Sequence, residues 1–243
     1  MGLFGKRKSK STAAHSGGTA GVPGYLAPYQ QAVDAEGATF EALLWRNKDF
    51  QTIRFHTLTE LACVRGRVTA DMGSGRADLL ALWREQGLDD AGYVGVEAVA
   101  ELAGFCRERI KNEGLEHAAI EEGDFAADRR LFDRLIREHR VDVLLFSGSL
   151  NTFEPHAAEA VLERAWEALC RHAASADARP KTLAFNFLSS LAAKEGEDLG
   201  PARRFDTHAM IAWALARTPR VRFRHDYLNG RDATIAMDTP GDD

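Results

Sequence analysis

The chain has 243 residues, enough for one large domain with a modest extension, and its 45% hydrophobic and 28% charged residues exclude a collagen-like or disulfide-stapled chain. The formal net charge is −5, and acids exceed bases by nine once Lys6, Arg7, Lys8 and Lys10 are set aside. A body that acidic is a poor electrostatic match to a polyphosphate backbone, so nucleic acid is disfavoured as a partner.

Residues 1–24 combine Ser, Thr, Gly and Ala with those four cations and show no apolar periodicity, which predicts a disordered basic tail. Its Met-Gly start has Lys6 where a myristoylation signal wants Ser or Thr, which argues against a lipid anchor. No apolar run is long enough for a membrane helix, and no apolar stretch follows the basic start as a secretory signal requires. Cys63, Cys106 and Cys170 are odd in number and widely spaced, with no Cys-x-x-Cys pair, so they read as reduced thiols in a cytoplasmic protein without a metal site.

Residues 25–64 turn helical. Leu43, Leu44 and Trp45 form an apolar patch, and Phe50, Ile53, Leu58 and Leu61 recur at three- to five-residue spacing, predicting a helical N-terminal extension or lid. Gly66 breaks the pattern, and residues 65–243 read as the main domain.

There, short β-rich runs alternate with amphipathic stretches. Strands are expected at Arg67–Asp71, Tyr93–Glu97, Ala118–Glu121, Val141–Ser147 and Thr182–Leu188, with helices at Ala77–Gln86, Val99–Asn112, Leu131–Glu138 and Ala157–Ala173 between them. The alternation predicts a mostly parallel α/β sheet, Rossmann-like, covered by helices on both faces, with ligands at the carboxyl ends of the strands. Val221–Tyr227 and Ala233–Asp238 flank Asn229-Gly230 and predict a closing antiparallel hairpin, for seven strands in all.

The first strand runs into Asp71-Met72-Gly73-Ser74-Gly75, a turn whose glycines let the backbone approach a ligand. Glu97 ends the second strand twenty-six positions after Asp71, where a carboxylate can accept hydrogen bonds from both hydroxyls of a ribose. Asp124-Phe125 follows the third strand, placing an acceptor for an exocyclic amine beside a ring that can pack on adenine. Three acids at successive strand ends outline an adenosine site. A dinucleotide fingerprint would want a small residue where Asp78 stands, because a carboxylate at a helix N-terminus repels a pyrophosphate.

These segments resemble the class I S-adenosylmethionine-dependent methyltransferases over about residues 50–238. Asp71–Gly75 looks like the first motif, Glu97 with neighbouring Ala98 like the ribose-binding pair, Asp124-Phe125 like the adenine-contacting pair, and Ser147-Gly148-Ser149-Leu150-Asn151 like the fourth motif. Together with Phe185–Ser190 and His225-Asp226-Tyr227, that segment is similar to a set of small bacterial methyltransferases. The resemblance implies S-adenosylmethionine as cofactor, bound by Asp71, Gly73, Ser74, Gly75, Glu97, Ala98, Asp124, Phe125, Ser147 and Gly148, and methyl transfer to a small-molecule acceptor. Ser74 replaces a frequent Cys and Arg76 a frequent small residue, and the Asn-Pro-Pro-Tyr type of fourth motif is missing.

Arg54, in the helix before the first strand, is expected to meet the cofactor's carboxylate. Asn151 is the first choice for orienting an acceptor, with Asn186, Ser189 and Phe153 nearby, and His225 is a candidate base. Two other readings stand beside this one: a nicotinamide-dependent oxidoreductase, and a non-catalytic adenosine-binding scaffold.

Overall fold

The computed structural model describes residues 21–89, 91–173, 179–191 and 200–240. Most of the expected basic tail, residues 1–20, lies outside them.

The chain begins with α1 (Ala27–Glu36), a single 3-10 turn (Glu41–Leu43) and α2 (Lys48–Ala62). Asn47 caps α2, its side-chain oxygen accepting from the Phe50 N–H at 2.9 Å. Alternation then follows: β1 (Thr69–Met72), α3 (Asp78–Glu85), β2 (Tyr93–Glu97), α4 (Ala100–Asn112), β3 (Ala118–Glu122), α5 (Leu131–Glu138), β4 (Val143–Phe146), α6 (Pro155–Arg171) and β5 (Thr182–Ser189). The chain closes with β6 (Arg204–Phe205), α7 (Thr207–Leu215), β7 (Val221–Arg224) and β8 (Asp232–Asp238).

The sheet runs in the order β3-β2-β1-β4-β5-β8-β7. Neighbours from β3 to β5 pair in parallel, while β8 is antiparallel to both β5 and β7. The expected architecture is therefore present, with one addition: β6 pairs in parallel with the end of β5 as an eighth strand. Two expected limits also shift. β7 stops at Arg224 instead of Tyr227, so His225 and Asp226 lie outside the strand, and Leu228–Gly230 forms a 3-10 turn, with Asn229 and Gly230 at positive φ, before β8.

Every residue of β1, β2, β4 and β5 is buried, as parallel strands covered on both faces require. Alternate side chains serve two cores. Ala70, Met72, Leu144, Phe146 and Phe185 pack with α5, α6 and α7, while Val143, Leu145 and Ala184 pack with Phe55 and Leu58 of α2 and Leu79 and Trp83 of α3. Residues 25–64 therefore divide. Helix α2 is built into the second core, so a boundary at residue 64 would cut through it. Val33 of α1, with Ala42 and Leu43, instead forms a small cluster with Val99 and Leu102 at the start of α4. Among the described residues, no helix is long and apolar enough to cross a membrane.

Candidate functional site

Strand order reverses between β1 and β4, and a crevice forms outside their carboxyl ends. The cleft there encloses about 780 Å³. Of the expected site residues, Asp71, Gly73, Ser74, Gly75, Glu97, Ala98, Phe125, Ser147, Gly148, Asn151 and Arg54 all line it. Asp124 and His225 do not.

Glycines are required in the β1–α3 turn. Gly73 has φ +78°, and a Cβ there would lie 2.7 Å from Ser149 Cβ. Gly75, at φ +57°, would place one 2.9 Å from Leu43 Cδ2. The turn is locked to β2 because Glu97 Oε2 accepts from the Gly75 N–H at 2.8 Å, while Oε1 accepts from the Val99 N–H at 2.9 Å. Buried Cys106 ties the turn to α4 as well, its thiol donating to the Gly75 carbonyl at 3.0 Å. All three cysteines are free thiols.

The floor of the cleft is electrostatically unusual. Asp71 is buried, with Oδ2 accepting from the Tyr93 hydroxyl at 2.8 Å, and burial pushes its carboxyl up to about 7. Glu97 is likewise pushed up to about 7 by burial, against the pull of its backbone hydrogen bonds. The fields of Glu97 and Asp78 add to the upward push on Asp71. Asp78, in the first turn of α3, is held by Gln51 Nε2 at 3.3 Å and Arg109 Nη1 at 3.4 Å. Two buried carboxylates, Asp71 and Glu97, line the cleft beside the glycine turn, an arrangement that favours a cationic ligand over a pyrophosphate.

An aromatic wall stands at the β3 and β4 ends. Phe125 and Phe153 stack with centroids 5.8 Å apart, Tyr25 stacks on Phe153 at 4.2 Å, and Phe125 meets Phe146 edge-on at 5.4 Å. Four buried oxygens on the cleft wall have no partner: Ser74 Oγ, Ser147 Oγ, Ser149 Oγ and Asn151 Oδ1. Such groups are rare in folded proteins, and together they mark a wall that receives a polar ligand. The Ser147–Asn151 loop is itself fixed, with Gly148 N–H donating to Asn186 Oδ1 at 2.7 Å and Asn151 accepting from the Arg203 N–H at 2.7 Å.

Arg54 is only 7% exposed. Its guanidinium forms an ion pair with Asp232, a wholly buried acid at the start of β8, and lies over the Trp45 ring, 4.8 Å from the centroid. Nothing in the sequence around Asp232 signals this partnership. Trp45, Tyr25 and Tyr29 also line the cleft without having been expected there, although the apolar patch at Leu43–Trp45 was a usable signal.

Both oxygens of Asp124 are engaged. Oδ2 accepts from the Tyr25 hydroxyl at 2.6 Å, and Oδ1 accepts from the N–H groups of Ala126 at 2.8 Å and Ala127 at 3.2 Å. The side chain acts as a loop brace, and Phe125 alone of that pair faces the cleft. His225 stands apart, with Nε2 2.9 Å from Ser189 Oγ, which in turn lies 2.7 Å from Thr207 Oγ1. Among the described residues, no group of three or more His, Cys, Asp or Glu side chains is placed to hold a metal ion.

No family model and no curated protein matches the chain. Solved structures share its fold. An O-methyltransferase family protein from Burkholderia thailandensis superposes with a TM-score of 0.62 at 14% identity, covering 87% of this chain and 62% of that one. The pyocyanin biosynthetic protein PhzM gives 0.55 at 18% identity over 89% of this chain and 69% of that one. The methyltransferase domain of bacterial CtHen1 gives 0.55 at 14% identity over 79% of this chain and 99% of that one. The chain thus spans about 62% of the length of the Burkholderia protein, and it shares the α/β fold of these structures.

Proposed function

We propose that the strand-end cleft binds S-adenosylmethionine and that the protein transfers its methyl group to a small-molecule acceptor. The observation that carries this reading is the pair of buried carboxylates, Asp71 and Glu97, flanking a glycine turn on the floor of a cleft with unpartnered oxygens in its wall. A ligand that is cationic and rich in hydrogen-bond donors satisfies both features. A nicotinamide dinucleotide would bring its pyrophosphate against these same two carboxylates.

In this reading Glu97 accepts from the ribose hydroxyls through the second lone pair that each oxygen keeps beside its backbone hydrogen bond, Asp71 faces the amino group of the methionine portion, and Arg54 meets its carboxylate. The Gly73–Gly75 turn admits the ligand's backbone-close passage, Ala98 leaves room beside the ribose, and Phe125 packs on the adenine ring, with Asp124 bracing the loop that presents it. Ser74, Ser147 and Gly148 complete the wall. The cofactor, when bound, supplies a methyl group on a sulfonium that leaves as a neutral thioether.

The protein's own task is then to position and to exclude water. Asn151 Oδ1 is free to accept from an acceptor N–H or O–H and so orient its lone pair toward the methyl group. Tyr25, Tyr29, Trp45 and Phe153 form an apolar roof over the same space. Among the described residues no histidine lines the cleft, and His225 with its partner Ser189 lies outside it.

Incubation of the purified protein with methyl-labelled S-adenosylmethionine and separate metabolite, protein and nucleic-acid fractions tests the acceptor class. Label entering the metabolite fraction supports the reading; label entering only macromolecules contradicts it.

A further inference from the structure

In a chain with more acids than bases, a group of uncompensated cations calls for a reason. One such group lies at the amino ends of the parallel strands, at the opposite end of the sheet from Glu97. A cleft of about 710 Å³ opens there, lined by Arg65 and Arg67 before β1, Arg179 before β5, Arg222 on β7, and Cys63 at the end of α2.

The neighbouring acids have other cationic partners. Asp238 holds Arg222 through two contacts of 2.5 and 2.8 Å, Asp142 lies 3.2 Å from Lys181 Nζ, and Glu60 lies 3.2 Å from Arg224 Nη1, a guanidinium it shares with Asp226. Arg65, Arg67 and Arg179 form no ion pair among the described residues. They donate to neutral groups instead. Arg67 pins the strand entrances together by donating to the carbonyls of Ala62, Asp142 and Pro180 and to the Thr182 hydroxyl. Arg179 donates to the Arg65 carbonyl, and Arg65 to that of Gly87.

Two observations show that this balance is incomplete. Arg67 is 5% exposed, and its Nε has no acceptor. Burial pushes its guanidinium down despite the opposing fields of Asp142 and Asp238, and the nearby charge of Arg179 adds to the downward push. Arg65 and Arg179, both exposed, each use a single hydrogen bond of the five N–H groups that a guanidinium carries.

We propose that this basal cleft binds a small phosphorylated metabolite, its dianionic phosphate held by Arg65 and Arg179 with the buried charge of Arg67 behind them. Guanidinium forks match the oxygens of a phosphate two at a time. A monoanionic carboxylate would leave most of the three charges uncompensated, whereas a phosphate monoester matches them better. The cleft exceeds the size of a phosphate group, and Val64, Leu88 and Pro180 offer an apolar wall to the organic portion. The site is separate from the strand-end cleft and does not depend on the function proposed for it.

Cys63, exposed on the wall of this cleft, supplies the readout. Its alkylation by a neutral maleimide is followed by peptide mapping of the intact chain at constant ionic strength, with Cys170 as internal reference. The added anions are inorganic phosphate, glycerol 3-phosphate and acetate. The expected result is several-fold slower alkylation at Cys63 with either phosphate, stronger with the ester, and no protection by acetate. The double substitution Arg65→Ala/Arg179→Ala, at two exposed positions, should abolish the protection while leaving the Tm of the ligand-free protein and its binding of S-adenosylmethionine unchanged. Equal alkylation in phosphate and chloride, or protection that survives the double substitution, overturns the site. Protection by inorganic phosphate but not by the ester overturns the assignment of ligand class.

Discussion

The Tyr25 hydroxyl donates a 2.6 Å hydrogen bond to Asp124 Oδ2, joining the start of the described chain to the loop after β3 across 99 positions. The Tyr25 carbonyl accepts from Thr152 Oγ1 at 2.9 Å, and its ring stacks on Phe153. The N-terminal segment is therefore tied to both rims of the cleft by one residue. Burial and the Asp124 carboxylate push the phenol up, so it remains a donor throughout the neutral range.

Tyr25→Phe keeps the stacking and removes the hydrogen bond. It should cost about 1.5–3 kcal/mol, the range for a bond to a charged acceptor. Hydrogen exchange across residues 25–36 should accelerate while exchange in β4 and β5 stays unchanged. Uniform acceleration throughout the chain would show that the bond has no local role.

The two turn glycines should respond unequally to alanine. At Gly73 the new Cβ meets Ser149 Cβ, close to backbone, whereas at Gly75 it meets the end of the Leu43 side chain, which can rotate away. Both suffer the positive-φ penalty of about 1–2 kcal/mol. Gly73→Ala should add an overpacking cost of about 1–3 kcal/mol. Chemical denaturation of the two variants measures the difference; equal losses would contradict the close approach of the β1–α3 turn to the Ser147–Asn151 loop.

Asp71 and Glu97 set a pH dependence. Their folded values of about 7 lie above the ordinary 3.8 and 4.5. Between about pH 4 and pH 7 the folded protein holds protons that the unfolded chain has released, so these groups make stability fall as pH rises through that window. The ligand-free protein should have a higher Tm near the bottom of the window than at its top. Affinity for a cationic ligand should move the opposite way, rising as both acids ionise. Titrations across the window check both signs, and affinity that falls with rising pH would exclude the acids from contact with a cation.

The buried pair Arg54–Asp232 should be costly to break from one side. Asp232→Asn leaves the guanidinium without its counter-charge, with an expected loss of about 3–5 kcal/mol in urea unfolding. A loss no greater than that of an exposed pair would show that Arg54 relaxes to solvent.

Much of this site was legible because its parts are local. Asp71, Gly73, Gly75 and Glu97 sit where a strand must turn into a helix, and the residue types that such turns need are visible in a short window. The sheet was legible for the same reason, since buried parallel strands such as Val143–Phe146 read as unbroken apolar runs. Long-range partnerships were not. Arg54 reads as a cation for the cofactor's carboxylate with no sign that the hairpin returns Asp232 to its side, and Asp124 reads as a ligand group until Tyr25 occupies it. Helix α7 went unread because Thr207–Leu215 is almost uniformly apolar and lacks an amphipathic period, and β6 because two residues carry no pattern.

The proposed function requires Glu97 and the glycine turn to hold a cationic adenosine cofactor. Isothermal titration with S-adenosylmethionine, S-adenosylhomocysteine and NAD in parallel, with Glu97→Ala as control, decides whether they do. Saturable binding of the first two is expected, with none of NAD, and a loss of about 1.5–3 kcal/mol or more in the variant, for removal of hydrogen bonds to a charged acceptor. Binding of NAD alone, or S-adenosylmethionine affinity unchanged in Glu97→Ala, would contradict it.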